Sequence, residues 1–482
     1  MKHYNFDSYW RFMHADWGRF FLIKAVCLAA TLALAACSAP APRESPRVAV
    51  GPGWRGVAPE GWVSTEHYRA WQEGRWWELF GDDGLTALMP RVEIGNQNLA
   101  AAVARVAQAQ ALLRQAQAQL APTLGLQLGT QRSGDPARGS ASLGLSASWA
   151  PDLWGRLAAG IRQQGAQVQA SEANLAAARL SAQASLAQAW FALREAEAEG
   201  ALLEEIIEGY RRALAITQNN YDAGIVARTD VLQAQSTLES ALSTRAGLQR
   251  SRDTYEHAIA LLVGEVPSNF ALAEARWVRT APEVPPALPS ELLLRRPDVA
   301  AAERAVAAAN AGIGVARAAW YPAISLSAGA GGAAATLAQL VSAPTLAWSL
   351  GATLAQTLLD GGARSAALDQ AVAAQQVATA TYRQSVLQAI GEVEDQLTAL
   401  VALDEQIAHA SAAADAATGA EERTLNSYRA GISAFTAVVT AQTTSLNARR
   451  SVMQLQLQRQ QAVVALIQAL GGGWLAPWAP AQ

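Results

Sequence analysis

Hydrophobic positions along the chain follow two different periods, one typical of long helices and one typical of short strands. Helical spacing runs through residues 99–120 and stops before Pro122. Residues 124–130 and 141–149 instead place apolar side chains at every second position, which predicts two strands joined by a turn. The proline-free stretch 155–220 then predicts a helix of about 65 residues, roughly 100 Å long.

This long helix is predicted to end at a turn. Asn219, Asn220 and Gly224 supply the C-terminal stop, and a further helix is predicted over residues 230–262. The same plan recurs later in the chain, with strands predicted near residues 323–331 and 344–358 and a long helix near 363–427.

The recurrence is an internal duplication. The segment Tyr221–Ile225 matches Tyr428–Ile432, and the same displacement of 207 residues aligns several other pairs without a gap. These pairs include Thr229 with Thr436, Val231 with Val438, Gly264 with Gly471 and Gly155 with Gly362. Pro122 and Pro322 lie 200 residues apart, so the difference of seven residues falls in the strand regions, where a loop tolerates it. We therefore interpret the chain as two copies of one unit.

Four strands and helices of this length favour a membrane duct over a globular protein. A four-stranded sheet leaves two open edges, which lipid does not tolerate, whereas three copies of the chain supply enough strands to close a barrel. Four aromatic residues fall where the predicted strands meet helices: Trp149, Trp154, Trp320 and Tyr321. They are placed either as an interfacial aromatic belt or as ordinary packing at helix ends.

Composition argues against nucleic-acid binding and catalysis. The net charge is −3 and charged residues make up only 16%, so no basic field is present. The five histidines are scattered and the two cysteines lie near the N-terminus, so no metal-ligand spacing occurs and we expect no cofactor. Carboxylates cluster at residues 204–205, 392–395 and 404–405, where solvated faces or ion pairs between subunits explain them better than acid–base chemistry.

The N-terminal segment has the pattern of a lipoprotein signal. Basic residues precede a short apolar stretch, Ala25–Ala36, and the sequence ending at Cys37 matches a lipobox. The apolar stretch is too short to span a bilayer, so we expect cleavage before Cys37 and lipidation of this residue. Ser38 favours sorting to the outer membrane, and Met13 is an alternative start.

Several motifs together resemble the TolC-like outer-membrane factors, in particular the lipoprotein (NodT-type) branch that serves resistance-nodulation-division (RND) efflux pumps. The resemblance covers nearly all of the chain after Cys37. It rests on the segment Trp76–Leu85, on Leu292–Val299 with Ala302 and Glu303, on Tyr321–Pro322, and on the closing Ala469–Trp474. Asp83 and Leu359 depart from the residues usual in the family.

The resemblance implies a mainly α-helical protein that assembles as a homotrimer. Four strands from each protomer would form a 12-stranded outer-membrane barrel, and the long helices would form an α-helical barrel in the periplasm. Tyr221, Gly224, Tyr428 and Gly431 would lie at the periplasmic tip, where the duct meets a periplasmic adaptor (membrane fusion) protein coupled to an inner-membrane RND pump. Small molecules would cross passively, and no catalytic residue is expected.

The sequence differs from the family at the expected gate. Members often carry acidic residues after the tip glycine. The first copy has Asp230, whereas the second has Ala437 at the paired position and Thr440 where Asp is common. A second interpretation of Asp230 is an N-cap of the helix that follows.

These observations predict a division of the chain into six segments. They are a signal peptide (1–36), a lipidated tether and equatorial segment (37–84), repeat 1 (85–271, strands near 124–150), a linker (272–290), repeat 2 (291–474, strands near 323–358) and a tail (475–482). Two alternatives to an RND efflux channel remain open: the outer-membrane duct of a type I (ABC) secretion system, and a periplasmic coiled-coil lipoprotein without a pore.

Overall fold

A computed structural model of the chain describes residues 74–134, 138–282, 296–342 and 347–478. Helices dominate these residues, which also contain one four-stranded sheet. The helices are α1 (Asp83–Gly95), α2 (Gln97–Ala118), α3 (Arg156–Asp222), α4 (Arg228–Val263), α5 (Pro297–Ala318), α6 (Leu337–Ser342), α7 (Ala363–Arg429) and α8 (Phe435–Ala469). Short 3-10 helices cover Trp76–Phe80 and Pro267–Asn269. The strands are β1 (Thr123–Ser133), β2 (Arg138–Trp149), β3 (Ala323–Ala334) and β4 (Ala347–Ala355).

The chain forms two compact units, and neither corresponds to a single sequence repeat. The first unit holds the sheet and, within the described residues, comprises parts of Ala111–Ala166 and Val306–Val377. The second unit is helical and combines segments from both repeats, including Gln167–Ala305 and Ala378–Gln482. Each copy therefore contributes one part to each unit.

The sheet has the order β1-β2-β3-β4 and is antiparallel throughout. Its two hairpins differ from each other. The β3–β4 connection contains α6, which the sequence pattern did not predict. β4 ends at Ala355 rather than at the predicted residue 358, and residues 344–346 of the predicted strand lie outside the described residues. Six residues are too few to show a helical period, which explains why α6 was missed.

The two longest helices end in the same way. In α3 the amide of Ile225 donates to the carbonyl of Asn220 and the amide of Gly224 donates to that of Tyr221, each at 2.8 Å. This is the Schellman arrangement, and Gly224 has the positive φ (71°) that it requires. At the end of α7 the amides of Gly431 and Ile432 make the same two hydrogen bonds, and Gly431 has a φ of 74°.

These helix ends correct two predictions. Asn219 and Asn220 lie inside α3 rather than after it, so the glycine alone terminates the helix. The N-cap of α4 is Ala227, which makes no side-chain cap, and Asp230 is the third residue of the helix. The interpretation of Asp230 as an N-cap is therefore wrong.

Aromatic residues on the N-terminal side of α1 pack against α3. Trp76 and Phe80 are buried, and the ring of Phe80 lies 4.8 Å from that of Phe191 on α3. Asp82 accepts hydrogen bonds from the amide of Leu85 (3.0 Å) and from Nε1 of Trp190 (2.9 Å). One carboxylate thus caps α1 and ties it to α3. Trp62 and Trp71 lie outside the described residues.

Arg296 explains the motif that precedes α5. Its guanidinium pairs with Asp298 and with Glu392 on α7, both at 2.7 Å, and donates to the carbonyl of Ala469 at 3.0 Å. One buried cation therefore joins three helices, which indicates a structural role for Arg296. Arg295 lies outside the described residues.

Within the described ranges, none of the helices combines the length and apolar character needed to cross a membrane. In the same ranges, no cluster of three or more potential metal ligands occurs.

Candidate functional site: a two-faced sheet and two helical turns

The sheet has one apolar and one polar face. Cross-strand pairing places Leu126 beside Leu145, Leu145 beside Ala330 and Ala330 beside Trp348, so all four point to the same side. The remaining members of this face are Leu124, Leu128, Leu143, Ala147, Trp149, Ile324, Leu326, Ala328, Leu350, Ala352 and Leu354.

The opposite face consists of small or uncharged polar residues over the same rows. Gln127 pairs with Gly144, Ser146 with Gly329, and Gly329 with Ser349. Ser142, Ser148, Ser325, Ser327 and Thr353 also belong to this face. Alternation of apolar and polar residues along every strand is the pattern of a barrel wall with lipid on one side and water on the other.

Most of the apolar face is exposed in the part of the chain that the structure describes. Leu126 is 73% exposed and Leu350 is 79% exposed, and Leu124 and Trp348 are similarly open. An apolar surface of this extent on a soluble monomer is unusual and indicates contact with lipid or protein. The strands contain 9–12 residues. A tilted strand that crosses a bilayer needs about 9–11 residues.

Both edges of the sheet lack a neighbour in the described part of the chain. β1 pairs only with β2, and β4 pairs only with β3. Each edge therefore presents backbone groups whose pairing requires another strand. In lipid an unpaired backbone group costs several kcal/mol, so a sheet with this apolar face must be closed by further copies.

The aromatic residues at the strand–helix junctions combine the two predicted roles. Trp154 stacks on Tyr321 at 5.1 Å, and its Nε1 donates to the carbonyl of Pro322. Trp149 donates to the carbonyl of Leu120 while 41% of it stays exposed. Trp320 and Tyr321 are similarly exposed. They pack helix ends and also present the amphipathic surface of a membrane interface.

The helical turns after α3 and α7 belong to the second unit and carry the residues predicted for the periplasmic tip. Ile225 and Ile432 follow the two glycines and are exposed. The two turns differ in their packing. In the second copy Tyr428 contacts the buried Phe435 at 5.4 Å, whereas the first copy has Arg228 at the position of Phe435.

The three predicted gate residues lie on two separate helices. Asp230 is half-buried in the first turn of α4, and Ala437 is exposed in the first turn of α8. Thr440 donates its hydroxyl to the carbonyl of Thr436 at 2.9 Å, so this side chain is partly satisfied within its own helix. A gate built from these residues requires neighbouring protomers.

The carboxylate clusters identified in the sequence form ion pairs within the chain. Glu204 pairs with Arg245 at 2.9 Å, Glu205 with Arg449 at 3.8 Å, and Asp404 with Arg459 at 2.5 Å. Glu392 pairs with Arg296, as described above. These contacts join elements of the same chain.

Sequence analysis missed one acidic pair. Glu195 and Glu199 lie one turn apart on α3, and both are buried. Burial, followed by the charge of Glu199, raises the pKa of Glu195 to about 7. The motif in which the pair lies, Arg194–Glu199, is rich in charge and looks like a solvated helix face in sequence. The burial of Glu195 and Glu199 becomes evident only from the packing of the helices.

A sheet that needs other copies to close, in a chain with helices of 67 residues, defines a subunit of an oligomeric membrane channel. Comparison with known proteins agrees. The outer membrane efflux protein family matches residues 88–265 and 288–472, and the chain belongs to this family.

Individual relatives cover almost the whole chain. The pyoverdine export outer membrane protein OpmQ of Pseudomonas aeruginosa is 32% identical over 468 residues, which is 93% of this chain and 96% of OpmQ. The cation efflux system protein CusC of Escherichia coli is 29% identical and covers 92% of this chain and 97% of CusC. The solved outer-membrane channel OprN superposes with a TM-score of 0.79 at 29% identity, covering 88% of this chain and 99% of OprN.

The predicted family, fold class and principal function are thereby confirmed. The chain is an outer-membrane efflux channel, mostly helical with a β domain, and it acts as a trimer together with efflux pump components. Members of the family are outer-membrane channels rather than enzymes.

Adjacent positions on β1 test the assignment of the two faces. Leu126→Arg places a charge on the apolar face and costs about 2–4 kcal/mol near the bilayer midplane, whereas Gln127→Arg places it on the polar face. We expect outer-membrane trimer to decrease strongly in the first variant and to stay near wild type in the second. Heat-modifiable trimer in outer-membrane fractions measures this. Equal loss in both variants would contradict the assignment.

Proposed function

We propose that the chain is the outer-membrane exit channel of a tripartite RND-type efflux pump. Three copies close a 12-stranded barrel by pairing β4 of one protomer with β1 of the next, and small molecules cross it passively. The observation that carries the proposal is the two-faced sheet whose two edges are unpaired.

The strand directions support this closure. An antiparallel sheet of four strands has β1 and β4 running in opposite directions. β4 of one copy is therefore antiparallel to β1 of its neighbour, and the alternation continues around the ring. An even number of antiparallel strands is the rule for bacterial single-chain barrels, and three copies keep the count even.

Disulfide cross-linking between protomers tests the edge pairing. Gln127→Cys on β1 is combined in turn with Ser349→Cys, Gly351→Cys or Thr353→Cys on β4. All of these positions lie on the polar face, and the three β4 positions sample different registers of the β1–β4 pairing between protomers. We expect oxidation in the membrane to give a covalent trimer on a denaturing gel, because each protomer contributes both edges.

The matched control replaces the β4 cysteine with Ser327→Cys on β3, which also faces the polar side but already has strands on both sides. It should give no trimer ladder. Monomers alone with all three β4 partners would contradict closure through these edges.

We further propose that the turns at Tyr221–Gly224 and Tyr428–Gly431 form the periplasmic tip that contacts an adaptor protein. In this proposal a ring of Asp230, one from each protomer, supplies the negative charge of the closed tip, and Ala437 and Thr440 contribute none. The repeated glycine-terminated turns and the exposed Ile225 and Ile432 support it.

The gate proposal predicts weak cation preference that depends on one side chain. Asp230→Asn should reduce the reversal potential in a salt gradient across a planar bilayer, whereas Ala437→Asp should increase it by adding a second ring. Glu239→Gln, a charge change on an exposed face of α4, is the control and should leave the potential unchanged. An Asp230→Asn channel with wild-type selectivity would remove Asp230 from the gate.

An RND pump is favoured over a type I secretion system because the relatives are named as efflux and export components of small cargo, such as pyoverdine or cations. The type I alternative would be favoured if the chain restored protein secretion, but not drug efflux, in cells that lack their own outer-membrane channel. A pore-free lipoprotein would restore neither.

We propose that residues 1–36 are a signal peptide, that Cys37 anchors residues 37–84 to the outer membrane, and that repeats 85–271 and 291–474 flank a linker at 272–290. Cys37 lies outside the described residues; the lipobox and apolar segment support the anchor.

Metabolic labelling with palmitate tests the anchor. We expect incorporation into the wild-type chain and none into Cys37→Ser, with Cys27→Ser as the control that keeps the label. Label retained in Cys37→Ser would contradict lipidation at this residue.

A further inference from the structure

A buried acidic pair lies where α3 packs against α8. Glu195 is 7% exposed and Glu199 is 3% exposed, and one helical turn separates them on α3. Arg450 on α8 forms an ion pair with Glu199. Next to this contact, Leu202 of α3 and Met453 of α8 pack with Trp277 in an apolar cluster. The ion pair therefore sits at a largely dry contact between helices.

Neighbouring charged side chains pair with one another. Arg194 pairs with Glu197 at 2.6 Å, and Arg252 on α4 pairs with Glu197 at 3.2 Å and with Glu256 at 2.9 Å. These contacts lie within α3, within α4 and between the two helices. Arg450 on α8 is the cation that acts on Glu195, and Glu199 on α3 is the anion.

Two carboxylates therefore share one guanidinium. Arg450 is committed to Glu199, and Oε1 of Glu195 is buried without a hydrogen-bond partner. A buried ionised carboxylate without a partner is strongly disfavoured, whereas a protonated one can donate to its neighbour. The neighbouring Glu199 carboxylate adds to the effect of burial and raises the pKa of Glu195. The arrangement suits a pair that holds one negative charge and one proton.

We propose that Glu195 and Glu199 form a proton-dependent latch between α3 and α8. The latch is closed when the pair holds one proton and is loosened when both carboxylates are ionised. Its consequence for the channel, an easier separation of α8 from α3 at alkaline pH, rests on the proposed function. The latch itself is a property of the helical unit.

The direction of the pH dependence follows from the pKa of Glu195, which rises from 4.5 to about 7 in the folded protein. Between these values the unfolded chain has lost the proton and the folded protein keeps it. Folding stability therefore falls as the pH rises through this window and levels off above about 7. Above that pH the folded protein itself carries both charges, and the α3–α8 contact stays at its weakest.

Hydrogen exchange of the purified trimer in detergent tests the latch. Exchange is followed in peptides from α3 (residues 190–203) and α8 (residues 446–457), corrected for intrinsic pH effects, over a range that extends about 1.5 units on either side of neutral pH. We expect protection in both peptides to fall several-fold as the pH rises and to level off near pH 7, the ionisation midpoint of Glu195 in the folded protein. Glu195→Gln, which mimics the protonated form, should abolish the step.

Two further variants predict shifts of the midpoint in opposite directions. Glu199→Gln removes the repelling charge and should move the midpoint to lower pH. Arg450→Gln removes the attracting charge and should move it to higher pH, because Arg450 lowers the pKa of Glu195. These shifts keep the test decisive if Glu195→Gln proves unstable.

Glu205→Gln is the matched control. Glu205 pairs with Arg449 across the same two helices, but its side chain is 72% exposed. This variant should keep the wild-type step, because an exposed pair is screened by water. A flat wild-type profile, or an unchanged step in Glu195→Gln, would overturn the latch.

The exchange experiment and the channel proposal can fail separately. If the pH step is present but the protein conducts no current in a bilayer, the proposed function fails and the latch stands. If the channel conducts but shows no step that depends on Glu195, the latch fails and the function stands.

Discussion

The unpaired edges of a sheet with one apolar face are the constraint on which the rest of this protein depends. Lipid provides no hydrogen-bond partners, so the edge strands β1 and β4 must find partners in other copies of the chain. The alternation along each strand fixes which side meets lipid and which meets water. Assembly is therefore a requirement of the fold itself rather than an addition to it.

The helical unit meets a different requirement, since helices of 67 residues must be terminated and held in register. Gly224 and Gly431 end the two longest helices with the same pair of hydrogen bonds, so both copies of the duplicated unit terminate their long helix in the same way. The copies then diverge around these turns. Phe435 packs against Tyr428 in the second copy, whereas the first has Arg228, and Asp230 is matched by Ala437. The proposed tip would therefore have only approximate sixfold symmetry in a trimer.

Features set by local sequence could be predicted, and those set by distant contacts could not. The alternating strands and the glycine turns follow from short-range patterns, and the internal duplication predicts these elements in both copies. Helix α6 was missed because its six residues carry no helical period. Asp230 was considered as a cap because the actual N-cap, Ala227, has no capping side chain that would mark the start of the helix. The acidic pair at Glu195 could not be identified, since its cation is 255 positions further along the chain at Arg450.

The central claim is that three copies close a conducting channel, and planar-bilayer recording of the purified protein, with its mass measured in detergent, tests this most directly. The account predicts a trimer that gives discrete, long-lived conductance steps, and it predicts that the Leu126→Arg variant yields neither trimer nor steps. A protein that remains monomeric, or a trimer that inserts into the bilayer without conducting, would contradict the account.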